Sequence, residues 1–212
     1  TPTTGVQGVI RADNMRISHL TASGPLTLIA TGDIEITNTV KAPCFPITMF
    51  AGGRLLITRP SYGGDADAIG NECRNSAPPD EFPGIRLEAR GGFTLNNAPI
   101  RSSGDITITN DPRLVFDDFT GPRVDRVDQA CVLYTVFIDQ RFLPSNALAQ
   151  YHGRRGPHID ISCRGNLSMA NTTMHARGGS SGATVAHASF AVGGNGGNSG
   201  TIRLRATGDV LI

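Results

Sequence analysis

Apolar and polar residues alternate along much of this chain, and the alternation returns in the same phase. From Gly24 the chain reads GPLTLIATGDIEITNTVKA, and from Gly84 it reads GIRLEARGGFTLNNAPIRSSG. From Pro157 it reads PHIDISCRGNLSMANTTMHARGG, and from Gly200, GTIRLRATGDVLI. A two-residue period is that of a half-buried strand, whose successive side chains point to opposite faces. In these segments a first strand presents Leu26/Leu28/Ala30, Ile85/Leu87/Ala89, Ile159/Ile161/Cys163 and Ile202/Leu204/Ala206. A turn of Gly or small polar residues follows, and a second strand presents Ile34/Ile36, Phe93/Leu95, Leu167/Met169 and Val210/Ile212. A third inward position falls at Val40, Ile100 or Met174, and further strand-like pieces read RLLITR from Arg54 and GDITITN from Gly104.

Three short strands and three turns in about twenty residues form one coil of a solenoid, within the repeat lengths such folds use. One coil cannot bury its inward face alone, whereas stacked coils share a continuous apolar column. Antiparallel sandwiches also use short alternating strands. Here the same two-strand register recurs, and Asn-Gly or Asp-Gly hairpin signals are absent between the strands. The expected fold class is therefore all-β, a parallel β-helix (β-solenoid) of three-strand coils with loop insertions. Glycines would supply positive φ at corners, and Asn38, Asn96 and Asn171 are the corner residues expected to tolerate the left-handed region.

Residues 1–212 read as a single solenoid domain. Its register is interrupted by insertions at 59–83 and 110–157 and by a Gly-rich loop at 178–200. The second insertion holds the most apolar run, CVLYTVFI from Cys131 to Ile138, and a short helix is expected from Ser145 to Tyr151 with Ser145 as its N-cap. Insertions in solenoids emerge on one side and often form a binding face.

Composition narrows the function. Hydrophobic residues make up 39% of the chain, enough to build a core and so to argue against disorder. The 26 glycines follow no three-residue period, which excludes collagen. A formal net charge of +1 gives no electrostatic footprint for nucleic acid or an anionic membrane. No apolar run is long enough for a membrane-spanning helix. Cys44, Cys73, Cys131 and Cys163 form no CxxC pair, so zinc is a poor fit. Two disulfides suit them better. Of the three pairings four cysteines allow, Cys44–Cys73 and Cys131–Cys163 is preferred, each closing a loop of about thirty residues for roughly 3 kcal/mol. Four buried free thiols are the competing reading. Disulfides would place the protein in an oxidising setting, extracellular or at a cell surface. The chain starts at Thr1 with no charged-then-apolar leader, as a processed secreted chain or the interior of a longer one would.

Candidate chemistry is thin. Asp117, Asp118, Asp125, Asp128 and Asp139 could supply the paired carboxylates of a glycosidase. The adjacent pair in an FDDF setting reads more simply as a solvated turn, so no catalytic residue is assigned. His19, His152, His158, His175 and His187 are dispersed, without the spacing of metal ligands or a triad. Asp65, Asp67 and Glu72 around Gly70 partly mimic a calcium loop, but Ile69 stands where an oxygen ligand belongs and the glutamate comes too early. They are weak calcium candidates, and no cofactor is expected. Asn166-Leu-Ser168 and Asn171-Thr-Thr173 fit the glycosylation sequon. Gly193-Gly-Asn-Gly-Gly lacks the strand and helix of a phosphate cradle. With no Trp and three Tyr, the chain has few rings for a sugar platform.

The ends carry a pattern of their own. Met15/Ile17 and Leu20 resemble Phe93/Leu95 and Ile100. Joined across two copies, GDVLI and TPTTGVQG read as a continuing coil, with Val6 near the third inward position. Solenoids usually need capping repeats, and no helical or polar cap is visible at either end. Thr1, Val6, Val210 and Ile212 therefore mark assembly ends for head-to-tail stacking into a homopolymer. A domain cut from a longer chain would look the same.

The recurring G-x-I-x-L-x-A-x-G-x-I text resembles that of bacterial secreted and surface β-helix proteins, of the filamentous-haemagglutinin-like and pectin-lyase-like groups. The resemblance implies a right-handed parallel β-helix, export, and adhesion or assembly. The catalytic patterns of pectin-lyase-like enzymes find no residue-by-residue match, so no active site is carried over. The expected function is an extracellular structural or adhesive solenoid, a subunit that builds a filament or surface appendage. The alternative is a polysaccharide-binding or polysaccharide-degrading β-helix protein with its site in the long insertion.

Overall fold

The computed structural model describes residues 3–60, 67–73, 83–115, 130–140, 158–176 and 200–212. Among them there is no helix, and every strand pairing is parallel. The strands wind as a parallel β-helix with three ladder faces, here called A, B and C.

Face A stacks the end of β1 (Thr3–Ala12), the end of β2 (Met15–Ala30), β4 (Ile47–Ala51), β7 (Ile85–Ala89), β10 (Ile106–Asn110), β13 (Ile159–Cys163) and β16 (Ile202–Ala206). Face B stacks the start of β2, β3 (Ile34–Lys41), β5 (Leu55–Thr58), β8 (Phe93–Asn96), β11 (Ala130–Tyr134), β14 (Asn166–Ala170) and β17 (Val210–Leu211). Face C stacks the start of β1, the middle of β2, the end of β3, β6 (Ile69–Gly70), β9 (Pro99–Ser102), β12 (Phe137–Gln140) and β15 (Thr173–Ala176). Each rung runs A, then B, then C.

The two-residue alternation sorts side chains inward. Leu28, Met49, Leu87, Ile108 and Ile161 form one column on face A, all fully buried. Ile36, Ile57, Leu95 and Leu133 do the same on face B, and Val40, Ile69, Ile100 and Ile138 on face C. The position closing each face-A strand is small: Ala12, Ala30, Ala51, Ala89, Asn110, Cys163 and Ala206. It sits where the chain turns toward face B, and the corner leaves little room. Asn110, polar and fully buried there, donates from Nδ2 to the Ala89 and Arg90 carbonyls at 3.1 Å each. A buried amide is tolerated when its hydrogen bonds are made.

Both disulfides follow from this stacking. Cys44–Cys73 joins consecutive rungs at the corner after face C, with Cα atoms 4.3 Å apart. Cys131–Cys163 lies inside the core, joining face B of one rung to the small corner position of the next, with Cα atoms 6.2 Å apart. No cysteine is left free.

Inside the stretches that interrupt the repeat, the ladder resumes. Ile69 of β6 is an inward face-C residue, and Cys131, Leu133 and Ile138 occupy inward positions of β11 and β12. The helix expected from Ser145 to Tyr151 and residues 178–199 of the Gly-rich loop lie outside the described residues. At the corner between faces B and C, Asn97, Thr135 and Asn171 adopt φ of 49°, 53° and 50° in successive rungs. The left-handed corner residue after Phe93 is therefore Asn97 rather than Asn96. Asn96 still belongs to the ladder, paired with Thr58 and Tyr134. Asn38 likewise lies within a strand, β3.

Candidate functional site

Three features of the surface could carry function: the two poles, a set of side-chain clasps at one corner, and a charged ridge on face C.

At the pole formed by β16 and β17 the inward column is open. Ile202 is 43% exposed, Leu204 37%, Val210 49% and Ile212 86%. One rung earlier, Ile159, Ile161 and Leu167 are all fully buried. The residue types are the same, so the difference is only that no further rung covers them among the described residues. At the other pole Val6, Ile10, Met15, Ile17 and Leu20 line a cavity with Asn14, Arg16, Ser18 and His19; Met15 and Leu20 are buried there, and Val6, Ile10 and Ile17 are half-buried. Of the predicted assembly ends, Val210 and Ile212 stand on the first pole. Val6 pairs with Ala22 in face C, half-buried at the second. Thr1 lies outside the described residues.

The corner between faces A and B is clasped from rung to rung. Asn14 Oδ1 accepts from the Asp33 N–H at 2.9 Å, Asp33 Oδ1 from the Arg54 N–H at 2.7 Å, and Asn166 Oδ1 from the Asp209 N–H at 2.9 Å. Glycine makes room for each clasp. A Cβ on Gly32, Gly53 or Gly208 would lie 2.3, 2.2 or 2.2 Å from the clasping oxygen. A related clasp stands at the entry to face A, where Asp105 Oδ1 accepts from the His158 N–H at 2.7 Å and His158 Nδ1 accepts from the Thr201 N–H at 3.2 Å. Sequence reading did not single out Asn14, Asp33, Asp105 or Asp209, and it met Asn166 only in a glycosylation sequon and His158 only as one of five dispersed histidines. Their signal was the Gly-Asp or Gly-Asn pair opening the second strand, at Gly32-Asp33, Gly165-Asn166 and Gly208-Asp209.

Face C carries charge outward across its rungs. Lys41, Gly70, Arg101, Asp139 and His175 occupy one aligned outward row. Gly70 leaves a niche into which the Asp67 carboxylate folds, and Arg101 donates to it from Nη1 at 2.8 Å. Burial pushes the Asp67 carboxyl up from its ordinary value, with Arg101 pulling the other way. Asp139 is fully buried with His175 Nδ1 3.7 Å away, and the His175 ring meets the Phe137 edge at 5.4 Å. The Arg101 guanidinium lies over Phe137.

This network is where two of the calcium candidates fall. Asp67 faces Arg101, and Glu72 lies near enough to oppose its ionisation. Asp65 is outside the described residues, as are Asp117, Asp118, Asp125 and Asp128. Among the described residues no group of three or more His, Cys, Asp or Glu side chains is placed to hold a metal ion. No helix among them is long and apolar enough to cross a membrane. The chain matches no family model, no curated protein and no solved structure.

Proposed function

We propose that this chain is a structural β-solenoid of the adhesive or appendage-building kind, which extends by stacking its poles head to tail and works outside the cell or at its surface. The observation that carries the reading is the exposed inward column at β16 and β17, set against the fully buried column one rung before. An open apolar column with unpaired strand edges is a template for another parallel strand. A contact between two different faces of the same molecule builds a filament unless the rotation closes a ring. The two disulfides support an oxidising compartment.

Negative-stain electron microscopy with sedimentation velocity over a concentration series tests it. The expected result is rods of constant width whose length grows with concentration. A discrete monomer at several hundred micromolar would sink it.

A further inference from the structure

We infer that His158 is a pH-sensitive fastener: its neutral ring clasps the rung that opens at Thr201, and protonation of the ring releases that rung. Asp105, His158 and Thr201 stand at one position in successive rungs, each just ahead of the first inward isoleucine of face A, Ile106, Ile159 and Ile202. Asp105 Oδ1 accepts from the His158 N–H at 2.7 Å, and His158 Nδ1 accepts from the Thr201 N–H at 3.2 Å. Nδ1 of an imidazole lies as many bonds from the backbone as Oδ1 of an aspartate or asparagine. The ring therefore takes the place that a carboxylate takes one rung earlier. The two clasps differ in one respect. A carboxylate accepts hydrogen bonds at any pH above the ordinary aspartate range, whereas Nδ1 accepts only while it carries no proton.

An imidazole ordinarily changes charge between about pH 5 and 8. Once protonated, Nδ1 is a donor and meets the Thr201 N–H donor against donor. The charged ring has another place to go. With His158 and Ile159, the side chains of Asp105, Thr107, Asp160 and Arg203 line a cavity of about 310 Å³ at the start of face A. Among the described residues, the charged groups that share this cavity with the ring are Asp105 ahead of β10, Asp160 on β13 and Arg203 on β16. Asp160 also pairs with Arg205 of β16, an ion pair that ties the same two rungs. Turning toward the carboxylates, the cationic ring leaves the Thr201 N–H and competes with Arg205 for Asp160. Both side-chain ties to the rung of β16 weaken together. The backbone ladder between β13 and β16 remains, so the release is a local opening rather than unfolding.

Native-state hydrogen exchange of the 212-residue protein tests this, read by NMR at single amides and corrected for the pH dependence of intrinsic exchange. Between about pH 8 and about pH 5 the protection of the Thr201 amide is expected to fall about fivefold, the loss of one hydrogen bond. The His158 amide, which Asp105 clasps, should keep its protection over the same range. His158→Asn supplies an Oδ1 that accepts as Asn14 and Asn166 do at the neighbouring corner, and should hold Thr201 at both pH values. His158→Ala should lose that protection at both. Nitrogen chemical shifts of the His158 ring should show an unprotonated Nδ1 at the higher pH. Circular dichroism checks that each variant keeps the fold, and if His158→Ala does not, His158→Asn alone decides. Equal protection of Thr201 in wild type at the two pH values, or the same loss on acidification in His158→Asn, would overturn the inference.

Discussion

The clasp at the corner between faces A and B makes a sharp quantitative test at Gly53. Its missing side chain leaves the space that the Asp33 carboxylate occupies while accepting the Arg54 N–H at 2.7 Å. In Gly53→Ala the new Cβ would stand 2.2 Å from Asp33 Oδ1, and 3.0 and 3.2 Å from the Gly32 carbonyl carbon and oxygen. The first contact is relieved by swinging the carboxylate away, which loses the clasp. A side-chain oxygen capping one backbone N–H contributes about 1 kcal/mol. The backbone contact cannot be relieved so cheaply, because Gly32 is held by the Gly53 N–H at 2.8 Å. Overpacking of this kind costs about 1.5 kcal/mol. Gly53→Ala should therefore cost about 2.5 kcal/mol and Asp33→Ala about 1. The double variant should cost about 2.5 rather than 3.5, because the clasp can be lost only once. Urea unfolding followed by far-ultraviolet circular dichroism reads all three as shifts in midpoint, and thermal melts should show Tm shifts of about 2–4 °C per kcal/mol for a chain of this size. Strict additivity of the two single variants would refute the reasoning.

Three other outcomes follow from the same geometry. Cys44 and Cys73 are half-buried at a corner whereas Cys131 and Cys163 are buried in the core. Graded dithiothreitol with alkylation and mass spectrometry should thus open Cys44–Cys73 first, and reversed order would contradict the placement. Ala89→Leu adds three carbons at the crowded corner and should cost about 2–4 kcal/mol, whereas Thr94→Leu, pointing outward from β8, should stay within about 0.5. For Asp67, burial raises the folded-state pKa, so the folded chain binds its proton more tightly than the unfolded chain. The stability of wild type relative to Asp67→Asn should then grow as pH falls from neutral toward the ordinary aspartate range, read as a difference in Tm across pH. A flat trend would mean that Arg101 balances burial, and an opposite one that it outweighs it.

How much of this was legible follows from the range over which each feature is encoded. Inward positions such as Ile85, Leu87 and Ala89 announce themselves within five residues, because alternation is local. The three-face winding was legible too, since the same local pattern recurs in one phase. Ile69 and the run from Cys131 to Ile138 were harder to place, because polar stretches separate them from the strands they stack on. Partners across rungs were not legible at all. Asp33 reaches Arg54 across 21 residues, Asn166 reaches Asp209 across 43, and Asp105 reaches His158 across 53. A solenoid fixes what stacks on what by winding, and an insertion changes the sequence distance without changing the stack. The Arg101 contact with Asp67 is of this kind, joining residues 34 apart that the ladder brings side by side. The same logic governs the poles. Covering a terminal rung with a further one would bury Ile202, Leu204, Val210 and Ile212 as fully as Ile159 and Ile161 are buried now. Because each rung contacts only its neighbours, that gain requires no change in the rungs beneath.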